Sequence, residues 1–182
     1  KMVGRPVDKL YPISKSKFGK PILEVNNLTD GLRFSQVSFK LKRGEILGIA
    51  GVVGSGRSEL AQSIFGINPS KGGSIKIDEK EVSIKKPKDA RNLGIAYIPE
   101  DRGTQGLVKE MKISHNVSMA NLDREANGIL IIFKKEMQNA INAINKLGIR
   151  ARNALQLVRQ LSGGNQQKVV VAKWLQLSLI HI

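Results

Sequence analysis

The residues with the clearest chemistry are Gly51-Val52-Val53-Gly54-Ser55-Gly56-Arg57-Ser58. Their spacing is that of a phosphate-binding loop, G-x-x-x-x-G-K-[ST], with arginine where lysine is expected. Glycines let the backbone turn with successive N–H groups facing inward, so several donors and the positive end of a following helix converge on one phosphate chain. Ser58 then offers a hydroxyl to Mg²⁺, and the Arg57 cation reaches toward the outer phosphates. The same residues without a ligand would be a glycine-rich strand-to-helix connection. The elements that must position the loop are legible on both sides. The apolar run Glu45-Ile46-Leu47-Gly48-Ile49-Ala50 reads as a strand, and residues 58–65 carry apolar positions at helical spacing until Gly66 stops them.

Two further stretches carry chemistry. Ile95-Ala96-Tyr97-Ile98 reads as a buried strand running into Pro99-Glu100-Asp101-Arg102-Gly103. A carboxylate pair at the end of such a strand is a candidate for holding a metal or an attacking water, set against the alternative of a solvated turn with a local ion pair. Farther on, Leu161-Ser162-Gly163-Gly164-Asn165-Gln166-Gln167-Lys168 opens a helical run, Val169-Val170-Val171-Ala172-Lys173-Trp174-Leu175. Ser-Gly-Gly at a helix start is a second nest of N–H donors with a hydroxyl, suited to an anion at a positive helix end. Two phosphate-binding nests so far apart in sequence suggest two half-sites.

Around these, the early chain is β-rich. Ile22-Leu23-Glu24-Val25, Val37-Ser38-Phe39-Lys40-Leu41 and the stretch from Gly72 to Asp78 read as strands, with a turn at Lys42-Arg43-Gly44-Glu45. Pro87 to Leu93 reads as a short helix with proline at its start and Gly94 past its end. Ser114 is placed as the cap of a helix through Leu122. The strongest helical pattern spans Phe133–Leu147, with Phe133, Met137, Ala140, Ile141, Ile144 and Leu147 on one face and Gly148 as the stop. His115, with no ligating neighbour in sequence, is given no role, and the methionines read as core filler.

The 182 residues suit one domain or slightly more, and the 41% hydrophobic content is that of a globular chain. There is no cysteine, which removes disulfides and thiol-ligated metals and fits a reducing compartment. No apolar run is long enough to span a bilayer, which makes the expected protein soluble or peripheral. The net charge of +15 raises nucleic acid or an anionic membrane as partners, yet the basic residues are scattered and aromatics are only 4% of the chain. Most of that charge reads as solvated surface, and no nucleic-acid partner is expected. Residues 1–20, with scattered lysines and prolines, read as a linker or the tail of something upstream.

Taken together, the loop at 51–58 and Leu161-Ser162-Gly163-Gly164-Asn165-Gln166-Gln167-Lys168 resemble the ATP-binding-cassette family, whose signature motif is LSGGQ. Three features are narrower: the form LSGGNQQK, Arg57 in the loop, and Pro99-Glu100-Asp101-Arg102 in place of the usual Q-loop glutamine. They resemble the second cassette of the double-length ATPases that drive bacterial importers of ribose, galactose and xylose type. Met2-Val3-Gly4-Arg5 resembles the segment that closes the first cassette there. The resemblance implies an α/β fold: a P-loop NTPase domain with an N-terminal antiparallel β subdomain and a helical subdomain, over residues 21–176.

The resemblance also implies how the site works. Two cassettes pack head to tail, so each ATP lies between the phosphate loop of one and the signature of the other. Residues 51–58 with Glu59 would hold one Mg²⁺-bound ATP. Leu161, Ser162, Gly163, Gly164, Asn165 and Gln166 would complete the site of the preceding cassette, with Ser162 to Asn165 at the γ-phosphate. Glu100 takes the Q-loop position near the metal and water, so Ser58 and Glu100 are the metal candidates and Glu100 the catalytic one. A planar guanidinium does not replace a point-charge ammonium, so this loop is expected to bind ATP but hydrolyse it slowly. No aromatic for stacking adenine stands out.

The implied partners are the preceding cassette, the permease subunits and, indirectly, a sugar-binding protein, at the cytoplasmic face of the bacterial cell membrane. A cassette that only completes its partner's site, a nucleoside importer, and a cassette acting on ribosomes or DNA are the alternatives. Family members continue past the signature helix to an apolar strand ending in Asp-Glu, the Walker B motif, and then to a switch histidine. Here Leu177-Ser178-Leu179-Ile180-His181-Ile182 departs from that pattern. It matches a translation of CTG TCT CTT ATA CAC ATC, the end of a transposon-based sequencing adapter. Native sequence is therefore expected to end near Gln176, leaving the cassette C-terminally incomplete, with His181 not the switch histidine.

Overall fold

A computed structural model describes residues 18–122, 126–127 and 130–176. The linker reading of residues 1–17, the Met2–Arg5 resemblance and the tail at 177–182 lie outside the described residues. The first layer is a four-stranded antiparallel sheet in the order β2-β1-β3-β4, from β1 (Pro21–Thr29), β2 (Val37–Lys42), β3 (Gly72–Ile77) and β4 (Lys80–Val82). Period-two alternation sorts its two faces. On the outer face the register sets Glu24 opposite both Lys40 and Lys76, and Lys76 opposite Glu81, an alternating-charge ladder in which Lys40 Nζ lies 2.9 Å from Glu24 Oε2. On the inner face Leu23, Val25, Leu41, Ile75 and Ile77 are buried against Leu60 and Ile64 of α1 (Arg57–Ile64). The sheet thus seats the helix that the glycine loop opens.

A second core gathers the remaining helices. Leu107, Ile113, Val117, Ala143, Ile149, Val158, Val169 and Val170 form it, contributed by α3 (Ile113–Ser118), α4 (Phe133–Leu147), α5 (Gly163–Leu175) and the segments between. Three consecutive valines are poor helix formers, yet Val169 and Val170 have no exposure, and burial outweighs the few tenths of a kcal/mol (~0.5) that propensity costs each. Gly148 ends α4 at φ +57°, the left-handed position that favours glycine. Between the cores run α2 (Pro87–Asn92), with proline at its first turn as expected, and a π-type turn at Arg102–Gly106.

Four expectations are corrected. Residues 45–50 and 95–98 are irregular chain and not strands, because a strand exists only through a ladder and no described segment pairs with either. The apolar side chains of the first run are consequently exposed: Ile46 at 94% and Ile49 at 50%, followed in the loop by Val53 at 97%. Ser114 does not cap α3. The helix starts after Lys112 and its first amides are satisfied from elsewhere, Ile113 N–H donating to the Gln156 carbonyl and Ser114 N–H to that of Ala154, and it ends at Ser118, short of Leu122. The buried face of α4 is turned relative to the apolar pattern: Phe133 and Ile141 are exposed, while Glu136 and Ala143 are buried. Glu136 is tolerated inside because its carboxylate accepts a hydrogen bond of 2.9 Å from Ser118 Oγ.

Exposed apolar surface of this extent favours self-association. The isolated 182-residue chain is expected to elute from a sizing column as aggregate at micromolar concentration. A sharp, reversible melt of soluble monomer would contradict this.

Candidate functional site

The glycine loop takes the shape its spacing requires. Gly54 and Gly56 both adopt φ +83°, and Gly56, the cap residue of α1, is buried. The Ser55 N–H donates to the Val52 carbonyl at 3.1 Å, closing the turn, and Leu60 N–H to that of Gly56 at 2.8 Å. Arg57, Ser58 and Glu59 form the first turn of α1, where amides have no acceptor within the helix and point at whatever the loop holds. A side chain at Gly56 would meet the Arg33 carbonyl at 2.6 Å, a backbone atom that cannot step aside. That carbonyl belongs to a turn pinned by Asp30, whose carboxylate accepts from the amides of Leu32, Arg33 and Phe34. Those backbone hydrogen bonds, Leu32's first, hold the Asp30 pKa below its ordinary value. Gly56→Ala therefore combines backbone strain of about 1–2 kcal/mol with a clash. ATP affinity by equilibrium titration is expected to fall at least about tenfold.

Beside α1 opens a cavity of about 410 Å³ lined by Ser58, Gln62, Tyr97, Glu100, Asp101 and Gln105. Ser58 and Glu100, singled out from the sequence as metal candidates, thus face one space. Glu100 is exposed, and among the described residues no partner engages its carboxylate. Asp101 is committed differently. It accepts from Thr104 Oγ1 at 2.7 Å and from Gly103 N–H at 2.7 Å, and these bonds, the Thr104 hydroxyl's first, lower its pKa. The free Glu100 carboxylate and the Ser58 hydroxyl, in a cavity whose other lining residues are also oxygen-bearing and which leaves open room for phosphate and water, suit Mg²⁺.

Arg57 is exposed, with Nη2 3.4 Å from the Val52 carbonyl, so the cation bends back over its own loop. Glu59 does not line the cavity; it pairs with Arg33 Nη1 at 3.3 Å. Sequence reasoning missed Gln62, Tyr97 and Gln105 as lining residues. Gln62 falls four residues after Ser58 on the same helix, which is the one signal that could have found it.

The signature stretch stands on the other core. Ser162 precedes the first turn of α5 without a side-chain bond to its amides, and the Asn165 amide donates to Ser162 Oγ at 2.9 Å while its Oδ1 accepts from Arg150 N–H at 2.9 Å. The Gln166 amide donates to the Leu161 and Val158 carbonyls. Asn165 and Gln166 are thus occupied in fixing the loop, while Ser162, whose oxygen accepts from Asn165 and whose proton is left to donate, and the two glycines are exposed. No residue of 161–166 lines the 410 Å³ cavity, so the chain does not bring its two nests together. Among the described residues no helix is long and apolar enough to cross a membrane.

A phosphate loop on one core and a Ser-Gly-Gly helix start on another, held apart within one chain, are the two halves of an ATP-binding cassette. The sequence profile of the ABC transporter family matches residues 34–178, spanning both halves, and the chain belongs to that family. Among its relatives, the ribose import ATP-binding protein RbsA of Clostridium tetani is 43% identical over 178 residues, 97% of this chain and 35% of that protein. A putative ribose/galactose/methyl galactoside import ATP-binding protein of Agrobacterium fabrum is 45% identical over 177 residues, 96% of this chain and 35% of its own length. The chain thus spans about a third of these relatives. A nucleotide-free ATP-binding cassette from an ABC transporter superposes with TM-score 0.71 at 23% identity, covering 86% of this chain and 65% of that one. A cassette solved as a dimer in a post-hydrolysis state with ADP and Pi gives 0.64 at 21% identity, over 85% and 69%. These two likenesses establish the cassette fold.

Proposed function

We propose that residues 21–176 are part of the second of two cassettes in the ATPase of a bacterial monosaccharide importer, with residues 1–20 the end of the first cassette and a linker. The observation that carries this reading is the shared cavity of Ser58 and Glu100 beside a glycine loop, with no signature residue lining it. One ATP binds at residues 51–58. The first-turn amides of α1 and Arg57 face its phosphates, and Ser58 and Glu100 hold Mg²⁺, which supplies charge neutralisation for phosphoryl transfer. Ser162 and the amides of Gly163 and Gly164 complete the site of the preceding cassette, while Asn165 and Gln166 position them. Closure of the two sites moves permease subunits at the cytoplasmic face of the membrane, supplied by a sugar-binding protein.

The import of ribose and galactose-type sugars named for the relatives supports the sugar class. The test is reconstitution of the polypeptide that carries this chain with its permease in vesicles. ATP turnover is expected to rise several-fold when binding protein loaded with ribose or galactose is added. Turnover indifferent to every monosaccharide would overturn the sugar reading.

A further inference from the structure

The segment 99–106 has two sides. One presents Glu100, Asp101 and Gln105 to the cavity beside the glycine loop. The other is fastened to α5 at three levels. At the first residue of that helix, the Arg102 guanidinium occupies the space over Gly163, where a Cβ would lie 2.8 Å from Nη2. Two turns on, Val170 packs on Gly106, whose own Cβ would meet Val170 Cγ2 at 3.1 Å. One turn farther, the Lys173 ammonium donates to the Gly106 carbonyl.

These contacts are unusual in their cost. Lys173 is only 8% exposed, and among the described residues the Gly106 carbonyl is its one acceptor, although an ammonium has three protons to place. Burial lowers its pKa. Arg102 Nε is also buried with no partner among the described residues. One cation, Lys173, and the Nε edge of half-buried Arg102 are thus withdrawn from water at one joint, where apolar side chains of similar size would pack without that penalty. A second connection lies alongside. Trp174, the residue after Lys173, meets Phe65 edge to face at 5.5 Å. Phe65, at the end of α1, stacks on the cavity residue Tyr97, also at 5.5 Å. The helix that begins with the signature is therefore held to both walls of the cavity.

The geometry points to Lys173 and Arg102 as positioning residues that join the cavity segment 99–106 to the signature helix, so that occupancy of this chain's own phosphate loop sets the pose of the signature presented to the other site. Neither touches the reacting atoms. Both act through segment 99–106 and Gly163. The inference rests on the reading of residues 51–58 as a nucleotide loop.

The experiment is amide hydrogen–deuterium exchange with and without Mg·ATP, on the polypeptide that carries this chain, in wild type, Lys173→Met, Lys173→Arg and Arg102→Met forms. ATP affinity and melting temperature are measured in parallel. In wild type and Lys173→Arg, Mg·ATP is expected to slow exchange at least about threefold both in peptides from 101–106 and in peptides from 163–175. In Lys173→Met and Arg102→Met the slowing persists in 101–106 but is lost from 163–175, with ATP affinity within about threefold of wild type and melting unchanged within a few degrees. Full slowing of both segments in Lys173→Met and Arg102→Met overturns the inference. So does a joint loss of affinity and melting temperature, which marks a structural role alone. Wild type that binds ATP without slowing at 163–175 overturns it as well. Wild type that binds no ATP overturns instead the nucleotide reading on which it rests.

Discussion

Replacing Arg57 with lysine raises ATP turnover at this site, by at least about tenfold, which corresponds to about 1.4 kcal/mol of barrier. The expectation follows from where the guanidinium lies. It is exposed and bends back toward the Val52 carbonyl, so part of its hydrogen-bonding capacity is directed at the loop itself. A planar fork needs a wide approach to phosphate oxygens, whereas an ammonium is a compact charge that fits where the loop's amides converge. Binding should change little, because the first-turn amides of α1 and the helix end remain. The check is phosphate release by the polypeptide that carries this chain, with any other phosphate loop of that polypeptide silenced. Unchanged turnover would show that the arginine is not what limits the chemistry.

Removing the Ser58 hydroxyl has the second large effect. Ser58→Ala takes away the hydroxyl on the first turn of α1, in a cavity whose remaining free carboxylate is Glu100, since Asp101 is held by Thr104 and Gly103. The affinity for Mg·ATP is expected to drop about ten- to a hundredfold, while that for metal-free ATP changes less than about threefold. A titration with and without Mg²⁺ separates the two. Equal losses in both would place the hydroxyl on the phosphates and not on the metal.

The parts of this site readable from sequence are those whose physics is local. A glycine at φ +83° opens α1, Gly66 at φ +78° ends it and Gly148 ends α4; each is a backbone requirement that glycine meets. What escaped depends on distant partners. Residues 45–50 and 95–98 have the apolar composition of strands, but composition cannot supply a ladder. Ser114 has the right side chain for a cap, yet carbonyls some forty residues later do that work. The α4 pattern misplaced its inner face because a glutamate paired to Ser118 is hidden from any scale that counts charges as exposed. Lys173 escaped likewise: in sequence it is one lysine among many, and only the fold shows it buried against Gly106.

The central claim is that residues 51–58 hold ATP, and photolabelling tests it most directly. The polypeptide that carries this chain is irradiated with a γ-phosphate-linked photoreactive ATP in the presence of Mg²⁺, and the labelled peptides are mapped. The expected result is label on peptides containing residues 51–58 or 97–105, competed by unlabelled ATP and absent in Gly56→Ala. Competable label confined to other surfaces, or none despite measured ATP binding, would contradict it.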